Sequence, residues 1–136
     1  MPRESIGLKI ASHNVRGLGS GRYGPNLPVK LIALSKIWLA HRLDIVCLQE
    51  THVLIDGITR VNLHLSRAAE MLGGCGWDTF WTPAVSSRSC GVAILIRSFL
   101  VASGTVQVGR PIPYTTGGLL NLPITCGPHS FNTLNI

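Results

Sequence analysis

Charge is what these 136 residues have least of. Asp, Glu, Lys and Arg together make up 13% of the chain, against about a quarter in an ordinary soluble domain. A chain this apolar resembles a piece whose remaining elements would cover its surface. Acidic residues are the scarcer sign: 6 Asp plus Glu stand against 12 Lys plus Arg, a formal charge of +6. That excess favours a polyanionic partner, because phosphate contacts dominate nucleic-acid affinity. The basic residues are scattered, so there is no basic tail. Long apolar runs are also missing. No stretch reaches the ~18 residues of a membrane-spanning helix, so no membrane partner is expected. Met1 to Lys9 lacks the apolar segment of a secretory signal. The four cysteines, Cys47, Cys75, Cys90 and Cys126, include no C-x-x-C pair, which argues against a zinc site. A reducing, intracellular setting with no disulfide-linked partner is the expectation, with Cys47 a buried free thiol. Internal repeats and low-complexity segments are absent too.

What is present is a series of short apolar segments. Ile6, Leu8 and Ile10 alternate with Gly7, Lys9 and Ala11, the period of a strand. The same parity reaches Asn14, which should share the face that Ile10 buries. Gly17, Gly19, Gly21 and Gly24, then Pro25 and Pro28, mark a loop. From Pro28, a residue suited to a first helical turn, Leu31, Leu34 and Trp38 predict a helix over about 28–42. Lys30 and Lys36 fall elsewhere on its surface. Ile45 to Leu48 is unbroken and apolar, as in a strand covered on both faces. Ile58, Val61, Leu65, Ala68, Ala69 and Leu72 give a second helix, ended by Gly73, Gly74 and Gly76. Trp77 to Thr82 reads as a strand, Ser86 to Ser89 as a loop, and Gly91 to Ile96 as a second doubly covered strand. Leu120, Leu122 and Ile124 alternate, though Pro123 confines that strand to an edge or a bulge. Gly127-Pro128 turns the chain into a last strand from about Phe131 to Ile136. The order is β, α, β, α, β, β and a closing β pair. A strand running to the last residue is read as a sign of truncation.

Polar residues gather just after strand ends: Asn14 and Arg16 after the first, Gln49, Glu50 and His52 after the second. Ligands bind at the carboxyl ends of strands in open α/β folds. A carboxylate such as Glu50 on a rigid strand end suits magnesium, which keeps several waters and needs only one or two protein carboxylates. Asn14 could orient that carboxylate or donate to a phosphate oxygen. Plainer readings stand beside these. Glu50 and His52 read equally as solvated loop residues, and Asn14 as a turn former bonding its own backbone. Arg16 and Arg22 read as loop charges, and His13 as a partly exposed structural residue.

Three segments taken together, Ile10 to Leu18 (IASHNVRGL), Asp44 to His52 (DIVCLQETH) and Gly91 to Arg97 (GVAILIR), resemble the endonuclease/exonuclease/phosphatase superfamily. Within it, the chain is most similar to the apurinic-type endonuclease domain of non-LTR (LINE-type) retrotransposons. Gly118 to Ile136 resembles that family's next hairpin. The resemblance implies an α/β fold: part of a four-layer sandwich, two sheets face to face with helices outside, its C-terminal portion missing. On this basis residues 1–136 are the N-terminal part of one domain. Asn14 matches the family's active-site Asn and Glu50 its metal-binding Glu, so both are the implied catalytic and metal-site residues, with Mg²⁺ or Mn²⁺ as cofactor. Arg16 and His52 become candidate phosphate contacts. DNA is the implied substrate, and the nucleus the implied location.

The family takes further groups from later segments: a Tyr, an Asp-x-Asn and a C-terminal Ser-Asp-His. None has a counterpart in this sequence, and His129 does not match the catalytic His. Absence of a positioned general base alone costs roughly 10²–10⁴ in rate. The expectation is a polypeptide inactive and poorly soluble by itself. The alternatives are a non-catalytic remnant of a retroelement gene, or a phosphatase or phospholipase of the same superfamily.

Overall fold

Two unbroken apolar runs form the centre of the molecule. The computed structural model describes residues 7–18, 27–86, 90–113 and 118–135. In chain order the elements are β1 (Ile10–Asn14), α1 (Leu27–Ala40), β2 (Ile45–Gln49), a 3-10 turn (Ile55–Gly57), α2 (Ile58–Met71), β3 (Trp77–Thr82), β4 (Val92–Arg97), α3 (Ser98–Ala102), β5 (Val106–Val108), β6 (Ile112–Pro113), β7 (Leu120–Cys126) and β8 (His129–Asn135). The first sheet has the order β1-β2-β4-β3, with β1 parallel to β2 and the other pairs antiparallel. As expected of the two runs, β2 is buried from Ile45 to Leu48 and β4 along its whole length.

Each face of this sheet carries its own core. Val46, Leu48, Ala93 and Leu95 meet Leu27, Leu31, Leu34 and Trp38 of α1 and Val61 and Leu65 of α2. Ile45, Cys47, Ile94 and Ile96 meet Leu120, Leu122 and Ile124 of the second sheet. Fully burying an aliphatic side chain stabilises by about 1.5–3 kcal/mol, so these two interfaces hold the layers together. The helices stop where the sequence lets them. After α2, Gly73 takes φ 72, Gly73 N–H donates to Glu70 and Gly74 N–H to Ala69. After α1, Arg42 takes φ 53, and the Leu43 N–H reaches the Trp38 carbonyl at 3.1 Å. Both are Schellman ends, which satisfy the last carbonyls of a helix.

Several expectations need correction. Ile10, expected to be buried, is 47% exposed. It does share a face with Ser12 and Asn14, but all three are exposed. The reason is lateral: β8 of the second sheet lies against β2 and β4, so among the described residues the inter-sheet core ends short of β1. His13, on the opposite face, is half-buried and accepts the Trp38 Nε1–H at 3.2 Å, the structural role the sequence assigned to it. The described residues build helices, sheet and sheet. The fourth layer of the implied sandwich is not among them.

Pro123 lies in neither an edge strand nor a bulge. β7 is the central strand of its sheet, paired with β8 on one side and with β5 and β6 on the other. Its carbonyl accepts the Gly109 N–H at 2.8 Å. In an antiparallel strand the N and O of one residue point the same way, so the Pro123 nitrogen faces the break between β5 and β6, where no ladder bond is required. Gly109 allows the approach: a Cβ there would stand 3.0 Å from the Pro123 Cβ. Between Arg97 and Leu119 the sequence showed no element, yet α3, β5 and β6 lie there. Most of the loop after Gly17 and the segment 87–89 fall outside the described residues, as do Ile6 and Ile136.

Candidate active site

The parallel pairing of β1 and β2 puts their carboxyl ends side by side, with Asn14 opposite Gln49, the residue before Glu50. β4 runs antiparallel to β2, so its first residues arrive at the same end. The ladder continues past the strands. Val15 N–H donates to Gln49 at 3.0 Å, Gly17 N–H to Glu50 at 2.6 Å and Leu18 N–H to Thr51 at 2.8 Å. On the other side Thr51 N–H donates to Gly91 and His52 N–H to Cys90, both at 3.0 Å. Residues 50–52 are therefore held by backbone bonds on both flanks.

This end of the sheet concentrates unusual backbone. Among the described residues, Arg16, Arg42, Glu50, His52 and Cys90 are the non-glycine residues with positive φ. All but Arg42, a helix end, sit here. A left-handed non-glycine residue costs on the order of 1–3 kcal/mol, and such residues cluster at functional sites. Two glycines complete the turn. Gly17 has φ 85, and a Cβ on it would lie 2.8 Å from His52 Nδ1. Gly91 has φ 87, and a Cβ on it would lie 2.4 Å from the hydroxyl oxygen of buried Thr51.

The side chains divide by task. Glu50 is 46% exposed, and its Oε2 lies 2.8 Å from Nε2 of His52, whose side chain is 19% exposed. An ionised carboxylate only accepts, so Nε2 carries the proton of this bond. The Asn14 Oδ1 accepts the Arg16 N–H at 3.0 Å, the local turn read as the plainer alternative for this residue. An amide oxygen keeps a second lone pair and the amide nitrogen two donors, so the turn does not exhaust Asn14. Arg16 is exposed at the tip. All four residues singled out from the sequence thus lie at one end of the sheet, as two bonded pairs: Arg16 with Asn14 and His52 with Glu50.

One neighbour was missed. Lys30, read as surface, sits in the first turn of α1, and its ammonium group donates to the Gly17 carbonyl. Burial lowers its pKa from 10.5. The available signal was its place on the first helical turn, at the end of the helix layer that follows the site loop. A groove of about 610 Å³ is elsewhere. It runs along β1 beside Ile37, Trp38 and His41, away from Glu50.

The donor chemistry decides which metal suits. No group of three or more His, Cys, Asp or Glu side chains gathers among the described residues, which does not fit a closed structural zinc site. A single accessible carboxylate beside an amide does fit a hydrated hard cation, which takes one or two carboxylates and completes its shell with water and substrate phosphate. No described helix is long and apolar enough to cross a membrane.

Comparison with known proteins agrees with this architecture. The chain is similar to the crystal structure of the AP endonuclease LMAP from Leishmania major, with TM-score 0.64 at 18% identity, over 94% of this chain and 39% of that one. It is similar to D. rerio TDP2, solved with a single-strand DNA product, with TM-score 0.55 at 16% identity, over 93% of this chain and 44% of that one. A mannosyl-6-phosphatase, Bt3783 of Bacteroides thetaiotaomicron, gives TM-score 0.53 at 15% identity, over 94% of this chain and 49% of that one. The chain therefore spans less than half of each of these structures, and at such identities the likeness is one of fold. None of the curated proteins matches it by sequence. A family model, by contrast, matches residues 11–132. With that match over nearly its whole length, the chain belongs to the Endonuclease/Exonuclease/phosphatase family.

Proposed function

We propose that this chain is the metal-binding N-terminal part of a single phosphodiester hydrolase domain that cuts DNA, of the apurinic type found in LINE-type retrotransposons. The observation that carries the reading is the exposed Glu50 carboxylate at the end of β2, beside Asn14 at the end of β1. Glu50, with an amide oxygen from Asn14, would hold Mg²⁺ or Mn²⁺. When bound, the cation polarises the scissile phosphate and offsets the charge that develops on it.

The chain's own residues act on the phosphate beside it. The Asn14 amide nitrogen donates to a phosphoryl oxygen. Arg16 and Lys30 offset negative charge around the loop, and the backbone bonds that flank residues 50–52 keep these groups in place. The backbone geometry is set before substrate arrives, which is what electrostatic stabilisation of a transition state requires. The base that activates water is not among these residues. Its partners in the family lie in the Asp-x-Asn and Ser-Asp-His segments, which this sequence does not contain.

DNA is favoured over a small phosphoester by the formal charge of +6. The test is binding of a short duplex at increasing salt, with plasmid nicking in Mg²⁺ measured alongside. Each phosphate neutralised adds about −0.9 to the slope of log affinity against log salt. A steep slope and background nicking are expected. A flat slope would point to a small phosphoester instead, and robust nicking abolished by Glu50→Ala would show a complete enzyme.

A further inference from the structure

We infer that His52 is a positioning residue, which fixes the Glu50 carboxylate for the cation. This rests on the reading of Glu50 as the metal ligand. The sequence offered His52 to phosphate, but the structure gives its Nε2 to the Glu50 Oε2 at 2.8 Å. With Oε2 held, Oε1 is the oxygen turned to a cation. A donor to a ligating carboxylate sets its orientation, and losing such a partner costs 10–100-fold in metal affinity.

The ring is itself held in position. Its side chain is 19% exposed. It sits over Gly17, where a Cβ would lie 2.8 Å from Nδ1, so the missing side chain of Gly17 is the space the ring occupies. Its backbone is tied to Cys90, and that of Glu50 to Gly17. Both residues take left-handed φ, 55 at Glu50 and 57 at His52. Histidine tolerates this region better than most residues. Between them Thr51 is fully buried, so the flanking side chains project together on the open side. An exposed glutamate alone would sample several rotamers, whereas this one has a partner seated on rigid backbone.

The test is Mn²⁺ titration, followed by calorimetry and by the electron paramagnetic resonance of free Mn²⁺. The full chain is compared with Glu50→Ala, His52→Ala and His52→Gln, each with its thermal midpoint. Ala and Gln carry the same left-handed backbone cost, so their difference reports the donor. Glu50→Ala should abolish binding. His52→Ala should weaken it 10–100-fold, and His52→Gln should restore it to within a few-fold of the parent at the same midpoint as His52→Ala. Wild-type affinity in His52→Ala, or equal loss in Ala and Gln, would overturn the role of His52. Should His52→Ala fail to fold, His52→Gln alone decides: parent affinity supports the role, and a loss of tenfold or more overturns it. Undiminished binding in Glu50→Ala would instead remove the metal-site reading itself.

Discussion

The Trp38 indole N–H donates to Nδ1 of His13 at 3.2 Å, tying the helix layer to β1 one residue before Asn14. Trp38 is 1% exposed and meets the rings of both His13 and Trp77 edge to face, at 6.2 and 6.0 Å. Arg97 lies 4.6 Å over the Trp77 ring and donates to the Leu43 carbonyl, which extends the chain of contacts to the far end of the sheet. The end of β1 that carries Asn14 is therefore supported from α1.

Trp38→Ala should destabilise the fold by about 3–5 kcal/mol, the usual cost of deleting a buried large aromatic. Trp38→Phe should cost less, because it keeps most of the packing and loses the bond to His13. Urea unfolding measures both. Equal midpoints for the parent and Trp38→Ala would mean that α1 does not pack as described.

The two site glycines should differ in severity. Gly17→Ala meets the His52 ring, which is 19% exposed and can be pushed outward, and Gly91→Ala meets the hydroxyl of buried Thr51 at 2.4 Å. Both also carry left-handed strain, about 1–3 kcal/mol. Gly91→Ala should therefore lower the thermal midpoint more than Gly17→Ala. Gly17→Ala should weaken Mn²⁺ binding by displacing His52. The reverse order of stability would contradict the contacts of residues 17 and 91.

Burial pushes the Cys47 thiol up from 9.0 to about 11. Between these values the unfolded chain releases a proton that the folded chain keeps, so unfolding is favoured as pH rises. The contribution is fully present below pH 9 and is lost towards pH 11. Cys47→Ala should lose less stability than the parent between pH 8 and pH 11. At neutral pH, alkylation followed by mass spectrometry should label Cys75 and Cys90, both half-buried, well before Cys47.

Much of the fold was legible because its centre is made of long, uniform signals. The apolar runs at Ile45 to Leu48 and Gly91 to Ile96 read as doubly covered strands, and α2 shows a clear helical period ended by glycine. Legibility failed where a residue's fate depends on what lies beside it. Ile10 alternates like a buried residue, but the described residues of the second sheet pack on β2 and β4. Pro123 is tolerated in a central strand because β5 and β6 leave a break beside its nitrogen. β5 and β6 are 3 and 2 residues long, too short to show a period. At the site, strand ends marked Asn14, Arg16, Glu50 and His52. The bond between Glu50 and His52 was hidden, because it depends on two left-handed residues flanking a buried threonine. For Lys30 the sequence offered only its place on the first helical turn, since a helical surface lysine shows nothing of the carbonyl it reaches.

Whether Glu50 holds a cation is read from its position in crystals of the chain soaked in Mn²⁺, located by anomalous scattering. A peak is expected about 2.0–2.1 Å from a Glu50 carboxylate oxygen, the distance magnesium keeps from its oxygen ligands, with His52 still bonded to the other oxygen. A peak held by other side chains, with Glu50 turned away, would contradict the reading of Glu50 as the metal ligand.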